Sequence, residues 1–309
     1  ALPICCTAGS MWNNYLPNPH FVESFETATG EKFNWDNYLP GYSAMKEKER
    51  VVFFLRDGLS AAEKERMTAY GADMSKYLDS GNEARIKKAY ESRDPRLQMA
   101  IITPYAQYNG ASSGIAHTYT LRWPYRGSDS AEPFDIRTDT NDKFYYLWRK
   151  FVPEGLEQTE RDTYGLDIPL IRYAEVLLLK AEALNEWGST HESEAIRCVN
   201  EVRRRAGHVE LNNATYPATK VNGQSDLRER IRNEYYWEIG GEDSMYFHEL
   251  RWGTWKDKKF DNNRNGLMQM WGETTYTWYW LGDQCWSWPI PAKEMEMNSN
   301  LEQNEGWIN

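Results

Sequence analysis

The sequence predicts a mainly α-helical protein: a tetratricopeptide-like helical scaffold with long irregular loops and a few short strands. Three observations predict it. Apolar residues recur at helical spacing from about residue 166 onward, turn residues crowd the region before it, and aromatic residues are scattered among those turns. The chain divides by texture into a loop-rich, aromatic-rich region, 1–165, and a helical scaffold with an irregular Trp-rich tail, 166–309. We read the two as one continuous domain.

In 1–165, Pro17, Pro19, Gly30, Pro40, Gly41, Gly110, Gly114, Pro124, Gly127 and Pro133 punctuate short aromatic runs. One helical stretch is expected from Ser60 to about Ala89, broken near Gly71 and Gly81. Alternation near Val51–Leu55 and Tyr119–Trp123 suggests short strands.

In 166–309, Pro169 suits the first turn of a helix. Leu170, Tyr173, Ala174, Leu177, Ala181 and Leu184 then follow helical spacing, and Ile171, Val176 and Leu178 widen the stripe. A helix apolar over so much of its circumference is expected to pack on more than one side. Ser189 and Glu192 read as a capping box for the next helix, which buries Ala195, Cys198, Val199, Val202 and Ala206 before Gly207. This pair has the length of one tetratricopeptide-type unit. A third helix opens at Asp226 with Glu229 as box partner, buries Leu227, Ile231, Tyr235 and Ile239, and breaks at Gly240-Gly241. A fourth spans Ser244–Trp252. Beyond Asn263 the tail is Trp-rich, and Pro289 and Pro291 argue against a regular element there.

Composition narrows function. The chain has 309 residues, 40% of them hydrophobic and 27% charged, which suits a folded globular protein rather than a disordered one. No run of about 18 apolar residues offers a membrane span. A net charge of −10 argues against a nucleic-acid partner. Four Cys and five His show no zinc-ligand spacing, so no metal or cofactor is expected. Scattered loop oxygens would leave no spacing signature, so a structural calcium ion stays possible without being predicted. Fourteen Trp and twenty Tyr stand out in a hydrophilic chain. Their flat apolar faces and polar edges match a pyranose, which has an apolar C–H face and a rim of hydroxyls. Most of them are nonetheless expected to pack between helices and under loops.

Five segments, in order, resemble the RagB/SusD family. They are YLPNPHFVESFETATGEKF (15–33), YESRDPRLQMAIITPY (90–105), YGLDIPLIRYAEVLLLKAEALNEWG (164–188), VNEVRRRAG followed by LRERIRNEYYWEIGGEDSMYFHELRWG (199–207 and 227–253), and WPIPAKEMEMNSNLEQNEGW (288–307). The sequence departs from the pattern at Met245, where the family usually carries Arg, and Ala8–Trp12 matches nothing. Family members begin with a secretion signal, a lipid-carrying Cys and further tetratricopeptide helices. That part is expected to lie outside this sequence, and Cys5, with no apolar run before it, is not expected to be the lipid anchor.

The resemblance implies a lipoprotein on the bacterial outer-membrane surface that binds glycans and passes them to a SusC-like TonB-dependent transporter. It implies no catalysis, and membrane attachment only through the lipid anchor. The signature helices would be scaffold, with Arg172, Glu175, Glu182 and Arg203 to Arg205 pairing along helix faces and with loop carbonyls. No family motif marks binding positions, so chemistry selects the candidates: aromatics in Gly/Pro-rich stretches and their polar neighbours. These are Trp12, Tyr15, Trp35, Tyr38, Tyr42, Tyr105, Tyr108, Asn109, Arg122, Trp123 and Tyr125. The tail cluster Trp271, Tyr276, Trp278, Tyr279, Trp280, Trp286 and Trp288 is expected mostly to pack onto the scaffold. Two other classes compete. A glycoside hydrolase needs two flanking carboxylates, but 46 acidic residues make pairs easy to find, and no β/α repeat or nucleophile motif supports an enzyme. A helical-repeat adaptor would bind peptides but has no need of a Trp-rich irregular half.

Overall fold

The computed structural model describes residues 10–11, 16–112, 115–125, 132–138, 143–152, 154–155, 167, 169–242, 244–260 and 266–307. Two compact units emerge. The first is Ala1–Met245 with Met268–Glu273, and the second is Tyr246–Leu267 with Thr274–Asn309. The change of texture near residue 165 therefore falls inside the first unit.

Among the described residues the first unit carries α1 (Pro19–Ser24), α2 (Glu47–Arg50), α3 (Ala61–Tyr70), α4 (Asn82–Glu91), α5 (Pro95–Ala100), α6 (Tyr173–Trp187), α7 (Glu192–Ala206) and α8 (Gln224–Ile239). Its short strands pair two by two. β1 (Ser10–Met11) runs parallel to β5 (Arg137–Thr138), and β2 (Ile101–Ile102) is antiparallel to β6 (Leu147–Trp148). β3 (Gln107–Ser112) and β4 (Ile115–Thr120) form an antiparallel hairpin. Helix α9 (Ser244–Trp252) leads into the second unit, which holds α10 (Trp255–Phe260) and α11 (Ala292–Met297). The molecule is mainly helical with a few short strands, as its sequence predicts.

Local chemistry explains several boundaries. Ser60 caps α3: its hydroxyl accepts the Glu63 amide at 3.3 Å while the Glu63 carboxylate accepts the Ser60 amide at 2.8 Å. Gly71, at φ +113°, ends that helix in a conformation that favours glycine, and Gly81 separates it from α4. Gly207, at φ +75°, closes α7 by donating to the carbonyls of Arg203 and Arg204.

Other expectations are corrected. Val51–Leu55 forms no strand: Val51–Phe54 is a buried 3-10 turn continuing directly from α2. Four consecutive apolar residues fit a fully buried turn as well as a strand, and periodicity cannot separate them. Tyr119 lies in β4, but the strand ends at Thr120, before Trp123. Helix α6 begins at Tyr173 rather than Pro169, and Leu170 and Ile171 precede it largely exposed to solvent. Ser189 provides no cap, because Ser189–His191 is a 3-10 turn and α7 starts at Glu192. Helix α8 starts at Gln224, two residues before Asp226, although Leu227, Ile231, Tyr235 and Ile239 are buried as expected. In the tail, Pro291 sits at the start of α11 instead of preventing it, because a helix N-terminus has no use for the missing N–H.

The scaffold is α6 and α7 packed as an antiparallel hairpin with α8 across α6. Ala174, Leu177, Leu178, Ala181 and Leu184 of α6 are buried, as are Ala195, Cys198, Val199 and Val202 of α7. Each large aliphatic among them contributes about 1.5–3 kcal/mol of transfer free energy. Helix α6 packs on more than one side, as expected, against both α7 and α8, while Tyr173, Val176, Leu179 and Trp187 stay exposed.

Arg172 and Arg203 to Arg205 are structural, as the sequence suggests, but they reach much further than along helix faces. The Arg203 Nε donates to Glu234 on α8 at 2.9 Å, its Nη2 to Glu26 at 2.7 Å, and its Nη1 to the Val209 carbonyl at 2.9 Å. Arg96 on α5 bridges Asp94 and Glu234, each at 2.6 Å. Arg172 holds Glu238 and Glu242, and Lys150 holds the carbonyls of Glu238 and Gly240. Arg203 is only 1% exposed and Glu234 0%, so the network ties α5, α7 and α8 together in the interior of the first unit.

Candidate functional site

Most sequence-selected aromatics lie in the core of the first unit. Trp35, Tyr42, Tyr105, Tyr108 and Trp123 are each 6% exposed or less. Trp35 stacks on Tyr42 at 4.8 Å, meets the edges of Phe33, Phe54 and Tyr90, and donates its Nε1–H to Glu23 at 2.7 Å. Trp123 packs against Trp271 at 5.1 Å and Phe144 at 6.2 Å. Burial drives the Tyr42 and Tyr105 hydroxyls well above the ordinary phenol range. These five rings offer no open face for a sugar, which corrects their selection as stacking platforms. The physical reason is that a loop-rich region with little regular structure builds its core from large flat side chains.

The others are reachable. Tyr38 is half-buried, its ring stacked on Phe33 and its hydroxyl 2.6 Å from that of Ser92. Asn109 is exposed on β3, where its side chain accepts from Thr118. Tyr125 is half-buried. Arg122 is half-buried, with Nη1 2.7 Å from the fully buried Asp135. Trp12 and Tyr15 lie outside the described residues.

A cavity of about 330 Å³ gathers two of the candidates with residues that sequence reasoning missed. Helix α4 contributes Glu83, Ala84 and Lys87. The hairpin contributes Gln107 from β3 and Thr120 from β4, and Arg122 follows. Asp57 and Tyr105 complete the wall. Asp57 builds the floor by capping α4 from outside: its two carboxylate oxygens accept the amides of Gly81 at 2.8 Å and Glu83 at 3.0 Å. Glu83 returns the contact by accepting the Asp57 amide at 3.2 Å.

Tyr105 holds a left-handed backbone at φ +63°, a conformation a bulky residue rarely adopts and one that costs about 1–3 kcal/mol. Its amide donates to Leu121 at 2.8 Å and its hydroxyl to the Phe54 carbonyl at 2.6 Å, so the strain is held from both ends. Arg122 Nε lies 3.5 Å from Glu83 but is buried with no hydrogen-bond partner. The two missed acids and Lys87 sit on a helix and a turn that carry no aromatic signal, so the sequence search had no reason to stop at them.

In the second unit the tail is mixed. Trp278, Trp280 and Trp286 are half-buried, with Trp280 against Phe260 and Trp286 at 5.3 Å each. Tyr276, Tyr279 and Trp288 are exposed by 63%, 76% and 72%, more than the expected packing allows. Trp271, which belongs to the first unit, is buried.

The first unit thus combines a helical hairpin scaffold with a loop layer and a small polar cavity. Comparison with known proteins gives the family. The model of the SusD family matches residues 5–307, and the chain belongs to that family. A SusD-like protein of Formosa agariphila is 32% identical over 139 residues, 45% of this chain and 24% of its own length. The starch-binding protein SusD of Bacteroides thetaiotaomicron is 28% identical over 161 residues, 52% of this chain and 25% of its own. The crystal structure of a SusD-like protein from Bacteroides fragilis superposes with a TM-score of 0.54 at 20% identity, covering 94% of this chain and 46% of that one. The match thus takes in about a quarter of the length of each curated relative and under half of the structural one.

Proposed function

We propose that this protein binds an oligosaccharide or polysaccharide at the surface of the bacterial outer membrane, does not cleave it, and hands it to a SusC-like TonB-dependent transporter. The observation that carries the reading is the match to the SusD family along 5–307, a family in which the Bacteroides thetaiotaomicron relative is a starch-binding protein. The exposed and half-buried polar and aromatic residues Tyr38, Asn109, Arg122 and Tyr125 are the contacts we assign to the glycan from the sequence-selected set. No helix among the described residues is long and apolar enough to cross a membrane, and attachment through a lipid on the mature protein fits that. Asp57, one of the two cavity acids, has both oxygens committed to capping α4, so it serves the fold rather than a bond-cleaving pair.

The test is affinity electrophoresis of the chain through gels containing starch, fructan, xylan, pectin or mucin, with product analysis alongside. Retardation by one polysaccharide class without new reducing ends supports the reading. New reducing ends replace it with a hydrolase, and pull-down of a peptide partner with no glycan retardation replaces it with an adaptor.

A further inference from the structure

We infer that the cavity between α4 and the β3–β4 hairpin is a subsite for one neutral sugar ring, read through its hydroxyl rim rather than by stacking. The inference rests on the glycan-binding reading and adds to it a place and a ligand chemistry. At about 330 Å³ the cavity lies at the small end of the ~300–1,000 Å³ range of small-molecule sites. That is room for a single ring and not for a stretch of chain.

The unspent hydrogen-bonding capacity of the wall is mixed. Arg122 Nε–H is a buried donor that makes no hydrogen bond, its nearest acceptor being Glu83 at 3.5 Å, and a buried donor left without one costs about 1–3 kcal/mol. The Thr120 hydroxyl and the Gln107 amide each both donate and accept, and both line the cavity. A sugar hydroxyl does both as well, so a polyol satisfies this set where a pure donor or a pure acceptor leaves half of it unpaired. A ring oxygen or hydroxyl against Arg122 Nε removes the orphan.

Charge excludes the ionic sugars. Asp57 and Glu83 face Lys87 and Arg122 in the lining, and the buried Asp135, 2.7 Å from Arg122, sets a third carboxylate against those two cations. A uronate or sulfated residue therefore meets no net positive field. For an amino sugar, Asp57 is already engaged through both oxygens by the Gly81 and Glu83 amides, and Glu83 through Oε1 by the Asp57 amide beside Arg122, which leaves Glu83 Oε2 as the one carboxylate oxygen that the chitosan probe tests. The strained Tyr105 backbone fixes the inner wall, so the site is formed before a ligand arrives.

The experiment is calorimetric titration of the 309-residue chain with maltoheptaose, xylohexaose, mannohexaose and cellohexaose, and with trigalacturonate and a chitosan hexamer as charged probes. Ala84 is an exposed residue inside α4 that lines the cavity, so Ala84→Leu fills the space while keeping a strong helix former. Thr120→Val and Gln107→Ala remove hydroxyl readers. Arg122 is left in place because its loss would strand the buried Asp135.

Binding of one neutral oligosaccharide is expected, weakened about tenfold or more by Ala84→Leu and several-fold by each polar variant, with the fold of every variant retained in thermal unfolding. Equal binding by the wild type and all three variants overturns the subsite and leaves the glycan-binding reading intact. Preference for trigalacturonate or the chitosan hexamer overturns the neutral-sugar assignment. Absence of binding to any probe, together with no retardation in the polysaccharide gels, overturns both.

Discussion

Two arginine clusters in the first unit use the same chemistry to opposite ends. In the scaffold, every guanidinium nitrogen of Arg203 and of Arg96 has a partner. In the cavity, Arg122 spends Nη1 on Asp135 and leaves Nε buried without one. A saturated buried cluster has nothing left to offer a ligand, and its role is to fix which helices meet. An unsaturated one beside open volume is poised to recognise something. Between these two clusters, satisfaction rather than residue type separates framework from site.

The largest expected effect lies on the saturated side. Arg203→Met removes the cation shared by Glu26 and Glu234 and leaves these buried carboxylates to His208 and Arg96 alone, which costs about 3–5 kcal/mol. Urea denaturation measures it. The cavity variant Thr120→Val is expected to shift the same midpoint far less, by about 1 kcal/mol at most. Equal losses in the two would dissolve the distinction between the clusters. Trp35→Ala is expected to rival Arg203→Met, at about 3–5 kcal/mol, because it empties a ring-lined site and removes the indole donor to Glu23.

Acid sharpens the same comparison. Burial pushes the Glu26 carboxyl up, but hydrogen bonds and charge from His208 and Arg203 outweigh it and hold the group below the ordinary carboxylate range. Asp94 and Glu238 behave alike: Arg96 outweighs burial at the first, and Arg172 with Arg96 at the second. Folded values below unfolded ones mean a stabilisation complete above about pH 4–5. As the pH falls lower, the unfolded chain takes up protons that the folded chain refuses, and stability drops. Circular dichroism across pH 2–7 is expected to show a flat upper limb and a loss beginning near pH 4. Unchanged stability at pH 3 would mean that these carboxylates are not held as the geometry indicates.

How much of this was legible depended on the range of the physics. The helix start at Ser60 and the breaks at Gly71, Gly81 and Gly207 are set within a few residues and were read from the chain, whereas the Ser60–Glu63 box was not, and the two boxes that were read, at Ser189 and Asp226, do not form. The structural role of Arg203 was legible from its place on a helix. Its partner Glu26 was not, because it lies 177 residues away. Aromatic burial failed for the same reason. Trp35 and Trp288 both stand in turn-rich sequence, and what buries the first is Phe54 and Tyr90, brought in by a 3-10 turn and α4. Apolar spacing on α6 announced a helix but could not say that Val176 and Leu179 face solvent in this chain. The cavity was half legible: its arginine and tyrosine stood among aromatic loop residues, while Glu83 and Lys87 look like any solvated helix face.

The smallest expected effect tests the far end of this argument. Trp288 is 72% exposed and its indole makes one hydrogen bond, 3.3 Å to the Tyr246 hydroxyl. Trp288→Ala is expected to change the unfolding free energy by no more than about 0.5 kcal/mol, against several for Trp35→Ala. A large aromatic kept in water for so little stability is a poor investment for the fold and a natural one for a surface that stacks on sugar. Affinity electrophoresis of Trp288→Ala beside Ala84→Leu then assigns the contacts. Loss of retardation in the tail variant assigns exposed rings of the second unit to glycan binding. Full retention confines recognition to the first unit and leaves the exposed tail rings to another partner.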